Sequence, residues 1–283
     1  MRAGNSAVTL EKKDFQLIIL KVFLSLIAAA LLIFAGLAGY AFILMKNRPP
    51  LKLYAMRSEE PDFLPLDQIP SRLIELIIGQ EDPNFYIHHG YDAENIRKAW
   101  EKNFRQKHIV LGGSTITQQL AKNLYLHFSR NYLRKLVELL IALKLEQVYG
   151  KDRILEMYIN IIYFGNGTYG ITDAARFYFD KPVPELTLNQ MVMLTIIPPA
   201  PTAGNPIQHP DMFLRLRSKF LTNYTKGDHP LVSQAEAEAI SAHGANCLDP
   251  ELRKPDDFTR SYPQTIPLIN ERFGPFAIKR EAR

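Results

Sequence analysis

Residues 80–90 read QEDPNFYIHHG and set two adjacent acids, Glu81 and Asp82, at the end of an apolar helical pattern. A carboxylate leaving such a helix into a cleft can act as a general base, because partial burial raises its pKa. The same two residues serve equally as surface or capping acids. His88-His89 resembles a metal pair only superficially: neighbours on a regular element point apart, and the spacing fits no zinc pattern, so both histidines read as structural. Residues 112–123, GGSTITQQLAKN, are dense in hydroxyls and amides but contain no acid, histidine or cysteine. That stretch is either a solvated turn and helix start or a binding surface whose catalysts lie elsewhere. Further on, Arg130, Arg134 and Glu138 fall four apart, a column on one helix face. Most of the other positions there are apolar, so the column either faces a polar cleft or pairs internally as a ladder. Lys122 stands three and four residues beyond Gln119 and Gln118 and makes a second polar surface. If the two surfaces meet, Lys122, Arg130 and Arg134 surround a polyanion, since guanidinium forks and an ammonium suit phosphate oxygens. Backbone N–H groups at a helix start near Ser114 would add to such a site. The glycine-lysine-serine order of a phosphate loop is absent. Residue chemistry alone therefore points to two carboxylates near a basic site of pyrophosphate size.

These groups need helices to hold them. Of 19 prolines, none lies in residues 84–181, which leaves long helices permitted there. A helix is expected from about Ser71, following Pro70, and a second from Ser114 or Thr115 to about Tyr125. A third, long and apolar, covers 131–149; a fourth, capped by Asp152, runs through Ile159. Gly165, Gly167 and Gly170 interrupt the pattern before a helix through Ala174, Ala175 and Tyr178, and two more lie near 211–224 and 233–243. No series of strands and turns and no internal repeat is visible, so the fold class is all-α or strongly helical. Leu124–Phe128 is apolar enough either to dip into lipid or to pack in a core.

Before all of this, Val22–Met45 is a run of 24 residues without a charge. As a helix it is roughly 36 Å long, against a hydrocarbon core of about 30 Å. Its Ala28-Ala29-Ala30 lies inside the run rather than after it, which reads as an uncleaved anchor rather than a signal peptide. The chain then divides into a tail (1–16), an anchor (17–45) and a domain (46–283) with its core motifs in 70–210. Basic residues flank the span almost evenly, so charge alone does not orient it. The net charge of +5 in 283 residues is too mild for a nucleic-acid partner and suits anionic headgroups or phosphorylated substrates. A single cysteine, Cys247, excludes an intrachain disulfide and a cysteine-cluster metal site.

Four segments together resemble the peptidoglycan glycosyltransferases, family 51, of bifunctional penicillin-binding proteins and of membrane-anchored monofunctional enzymes. They are EDPNFYIHHG (81–90), GGSTITQQLAKN (112–123), RKLVELLIALKLE (134–146) and KDRILEMYINIIYFGNGTYGITDAARFYFDK (151–181). The resemblance implies a mainly α, lysozyme-like domain behind a single N-terminal transmembrane helix. It places the domain on the periplasmic side of the inner membrane. It further implies polymerisation of lipid II into β-1,4 glycan strands, the donor being a growing chain on undecaprenyl pyrophosphate. Glu81 aligns with the base that takes the proton of the acceptor 4-hydroxyl, and Glu138 with a second essential glutamate on the donor side. Asp82, Ser114, Thr115, Gln118, Gln119, Lys122, Arg130, Arg134 and Lys135 fall where the family handles the donor's pyrophosphate and sugars. No cofactor is required; a divalent cation, magnesium or manganese, is allowed by resemblance, with no metal ligand assigned. Lipid II, the lipid-linked glycan chain, the membrane and other cell-wall synthesis or division proteins are the expected partners. No Ser-x-x-Lys or Lys-Thr-Gly is found, so the expectation is a monofunctional enzyme. Two features depart from the pattern: Gln190 replaces a usual glutamate, and Ala203-Gly204 a more usual aromatic, which bears on the far wall of the site. The rival readings are a lysozyme-like glycan cleaver and a non-catalytic assembly factor; the presence of both Glu81 and Glu138 argues against the second.

Overall fold

Pro70 sets the first boundary of the extramembrane part, because its fixed φ suits a helix start and its ring forbids helix before it. The computed structural model describes residues 4–47, 62–106, 112–126, 132–226 and 230–242. Within them lie ten α-helices: α1 (Gly4–Asn47), α2 (Ser71–Glu81), α3 (Ala93–Gln106), α4 (Ile116–Tyr125), α5 (Tyr132–Val148), α6 (Lys151–Ile161), α7 (Ile171–Phe179), α8 (Leu188–Ile196), α9 (Pro210–Tyr224) and α10 (Gln234–Ala242). Among the described residues the only β pairing is one isolated bridge, Tyr163 to Tyr169. The helical class expected from sequence is the one observed.

Helix starts follow the local chemistry, with two shifts. Ser71 is the first helical residue after Pro70 rather than a cap, and Asp152 sits in the first turn of α6, whose N-cap is Gly150. An acid there still offsets the positive end of the helix dipole. Helices α3 and α8 were not foreseen. The expected start at Thr115 is met in full: its side chain accepts from the Gln118 N–H while the Gln118 side chain accepts from the Thr115 N–H, a reciprocal capping box.

Helix α4 is the hub, packed on both α5 and α6, while α2 packs on α8 and α8 on α9. Leu76, Ile116, Leu120, Ile141, Leu145 and Ile154 are fully buried where these helices meet. Each such side chain contributes on the order of 1.5–3 kcal/mol relative to exposure. Leu124 packs partly buried against this core, and Tyr125 and Leu126 are buried in it. Core packing is thus the outcome for 124–126; His127 and Phe128 lie outside the described residues. The exposed apolar stripe is elsewhere, on α3, where Ile96, Trp100 and Phe104 recur at every fourth position with Trp100 and Phe104 stacked.

Helix α1 contains the one span, Phe15–Lys46, long and apolar enough among the described residues to cross a membrane. Its distal end does not stand apart: α1 packs on α5, with Ala41 buried and Leu37, Leu44 and Met45 against the core. Farther along the chain, Asn160 brackets Leu64, accepting from its N–H and donating to its carbonyl, both at 2.9 Å, and Glu156 accepts from the Leu66 N–H at 2.7 Å.

Candidate active site

Helix α2 ends at Glu81 because Asp82 leaves helical geometry and Pro83 follows. That termination points the two acids in different directions. Asp82 turns inward, 1% exposed, where both oxygens lie 2.9 Å from His88 Nε2 and Oδ2 also accepts from the Ile116 N–H at 2.9 Å. His88 Nδ1 accepts from the Gly90 N–H, which places the ring proton on Nε2, toward Asp82. Asp82 therefore latches the 82–90 loop to the first turn of α4. Both of its oxygens thus accept hydrogen bonds from within the fold. His88 thus serves the fold, whereas His89 is exposed.

Gly90 closes the same loop at φ +91°, and an added Cβ would stand 3.2 Å from the Ala142 carbonyl group on α5. Its own carbonyl accepts from Thr115 Oγ1 at 2.9 Å. Thr115 and Gln118 are thereby committed to capping and buried. Both belong to the scaffold that starts α4. Glu146, nearly buried on α5, accepts from Thr117 of α4 at 2.5 Å and Lys151 of α6 at 2.8 Å, tying three helices beneath the site.

Glu81 faces outward from this scaffold toward α4. Its Oε2 accepts from Gln119 Nε2 at 2.6 Å, whereas Oε1 is enclosed and has no hydrogen-bond partner among the described residues. Burial pushes its pKa up to about 7; the Gln119 hydrogen bond and the Lys122 charge hold it down against burial, and Asp82 adds a further push upward. Gln119 in turn accepts on Oε1 from the Tyr158 hydroxyl of α6 at 3.3 Å. Tyr158 was overlooked in the sequence, where it reads as one more core residue of α6; a polar tip at a fully buried position was the available signal.

The second carboxylate is held differently. Glu138 is 2% exposed, accepting from Arg134 at 2.9 Å and from Lys135. Lys135 also donates to Ser114 Oγ at 2.7 Å, joining α5 to the turn before α4. The internal ladder and the polar cleft turn out to coexist: Arg134 and Lys135 pair with Glu138 and still border the Ser114 turn. Lys122 lies among these groups, sensing Glu138, Lys135, Arg134 and Glu81; burial is the main cause that lowers its pKa. It makes no hydrogen bond among the described residues. Arg130 lies outside them. The divalent cation finds no donor set here: among the described residues no three acids, histidines or cysteines converge, and both Glu138 oxygens already accept from cations. Gln190, fully buried, completes a capping box with Thr187 at the start of α8. Glutamine serves that cap as glutamate would, so the departure falls on a helix start.

This helical frame sets the buried Glu81 carboxylate near Lys122, and residues 50–225 match the family described as Transglycosylase. The chain belongs to the transglycosylase family. It is similar to penicillin-binding protein 1F of Bacillus subtilis (strain 168), 37% identical over 238 residues that cover 81% of this chain and 32% of that protein. It is also similar to penicillin-binding protein 1A of Aquifex aeolicus (strain VF5), 37% identical over 78% of this chain and 33% of that one. With penicillin-binding protein 1A of Escherichia coli (strain K12) it shares 38% identity over 66% of this chain and 22% of the relative. The chain thus spans a third or less of the length of these relatives.

Proposed function

We propose that this chain is a peptidoglycan glycosyltransferase that polymerises lipid II, with Glu81 as the base. The observation that carries this reading is the divided Glu81 carboxylate: Oε2 is tied to Gln119 while enclosed Oε1 has no partner among the described residues. An acceptor hydroxyl placed on Oε1 would satisfy that oxygen and lose its proton to it as attack begins. The 4-hydroxyl oxygen of lipid II bonds to the donor's anomeric carbon, and the bond from that carbon to the pyrophosphate oxygen breaks on the opposite face. Configuration inverts from α to β, the proton resides on Glu81, and lipid pyrophosphate departs. Lys122, Lys135 and Arg134 lie near one another and would supply the cations that the developing negative charge needs. Glu138 orders Arg134 and Lys135 rather than reacting.

A glycan cleaver would need a carboxylic acid to protonate the leaving oxygen and a second carboxylate to activate or replace water. Only one carboxylate in this cleft has an unengaged oxygen among the described residues, which favours transfer. The α3 stripe of Ile96, Trp100 and Phe104 suits a lipid surface, where aromatic rings are favoured, and both substrates are lipids. We place the domain outside the plasma membrane with α1 as its anchor. The test is to incubate the full chain in detergent or bilayers with lipid II and resolve products by length. Long β-1,4 strands are expected from the native protein and none from Glu81→Gln. Water-dependent shortening of preformed glycan, without consumption of lipid II, would overturn the reading.

A further inference from the structure

We infer that Tyr158 is a positioning residue for Glu81, acting through the side-chain amide of Gln119. The inference rests on the role proposed for Glu81 and concerns how that base is kept ready. The two ends of a glutamine amide have nearly the same shape and opposite hydrogen-bonding character, so the partners decide which end points where. Ionised Glu81 only accepts; it requires the NH2 end, and Nε2 lies 2.6 Å from Oε2. Oε1 must then point away, and the Tyr158 hydroxyl is what meets it, at 3.3 Å.

Tyr158 is fully buried on α6, and this is its hydroxyl's hydrogen bond among the described residues. For packing alone phenylalanine would fill the same space without burying a hydroxyl. The chain Tyr158–Gln119–Glu81 thus joins three helices, α6, α4 and α2, and sets the amide donor-first toward the base. It also leaves Oε1 of Glu81 as the oxygen without a hydrogen-bond partner among the described residues. Without the hydroxyl, part-buried Gln119 Oε1 loses the donor that meets it. The amide then gains by turning over whenever Glu81 holds a proton, so the protonated base is favoured. The other groups facing Glu81 are Asp82 on its own element, Lys122 of α4, and Tyr224 of α9, whose hydroxyl donates to the Gly79 carbonyl at 2.9 Å. Arg134, Lys135 and Glu138 of α5 act on Lys122 in turn. None of these is altered by Tyr158→Phe, which retains the ring.

The experiment compares the full-length native chain with Tyr158→Phe, Gln119→Ala and the double variant. Initial rates of lipid II polymerisation are followed from about pH 6 to 9. In Tyr158→Phe the acid limb is expected to move up by about half to one pH unit. At low pH this is a rate loss of roughly three- to tenfold, narrowing toward high pH, with KM for lipid II within about twofold. Gln119→Ala should move the limb at least as far, and the double variant no farther than Gln119→Ala alone, because both act through one amide. A Tyr158→Phe profile that overlays the native one overturns the inference, as do shifts that add in the double variant. A second readout needs no turnover: NMR titration of the Glu81 carboxyl in protein carrying 13C-glutamate, its signal identified by its loss in Glu81→Gln. An upward move of that titration in Tyr158→Phe supports the inference even if the native chain fails to polymerise lipid II, which would sink the proposed function alone. An unmoved titration overturns the inference whatever the activity.

Discussion

At the scale of single residues, the cleft opposes two forces on one carboxyl. Burial drives Glu81 up to about 7, while Gln119 and Lys122 pull the other way. A base with that value is mostly protonated in mild acid and ionised above neutrality, so turnover should rise through an acid limb centred near pH 7. Lys122 favours the charged form; its removal must therefore raise the Glu81 pKa, not lower it. Lys122→Met is expected to shift the acid limb upward by about half a unit and to weaken donor use by roughly tenfold. Initial-rate profiles at several donor concentrations check both effects. A limb that moves to lower pH would show that Lys122 does not face Glu81. The neighbouring acid should behave oppositely in kind: Asp82 holds His88 and the Ile116 N–H and contacts no solvent. Its damage should appear as lost stability before altered pH dependence.

At the scale of elements, α4 delivers Gln119 and Lys122, and its first turn decides where they point. Thr115→Ala removes one half of the capping box and the bond to the Gly90 carbonyl. A loss of about 1–2 kcal/mol is expected, measured by thermal unfolding, together with slower polymerisation. Thr115→Ser should restore most of both. This element was legible because Thr-x-x-Gln before an apolar run writes its own start. The roles of its residues were not: Gln118 and Gln119 are adjacent and identical in type, and only the burial of one and the meeting of the other with α2 separate a cap from a ligand of the base. Helix α8 escaped notice since it is buried on nearly all sides and shows no polar face to set a period. Helix α3 escaped for the opposite reason: its charges dominate, and its apolar residues are exposed rather than packed. If that stripe meets lipid, Phe104→Glu should cut turnover of bilayer-embedded lipid II by about three- to tenfold while sparing turnover of a short-chain, water-soluble analogue. Equal loss on both substrates would argue against a lipid contact.

At the scale of the whole molecule, the anchor is longer than crossing requires. The span Phe15–Lys46 has 32 residues, about 48 Å of helix against a hydrocarbon core of about 30 Å. The surplus has a visible use, because Leu37, Ala41, Leu44 and Met45 lie on one face and pack toward the domain, chiefly on α5. That helix also carries Arg134, Lys135 and Glu138. A continuous helix that becomes part of the domain's wall in this way helps hold α5 and its cation cluster in place. Length and hydropathy were readable from the sequence; the docking was not, since it joins residues about a hundred positions apart and no local pattern encodes the partner. Ala41 is 5% exposed at the centre of the contact. Ala41→Trp should overpack it, lowering stability by about 1–3 kcal/mol in thermal unfolding of the full chain and reducing polymerisation with it. Gly39 offers the control, because a side chain added there meets nothing within 4 Å. Gly39→Leu should therefore leave both measurements near native values. If both substitutions act alike, the anchor is a tether; if only Ala41→Trp does, it is part of the enzyme's frame.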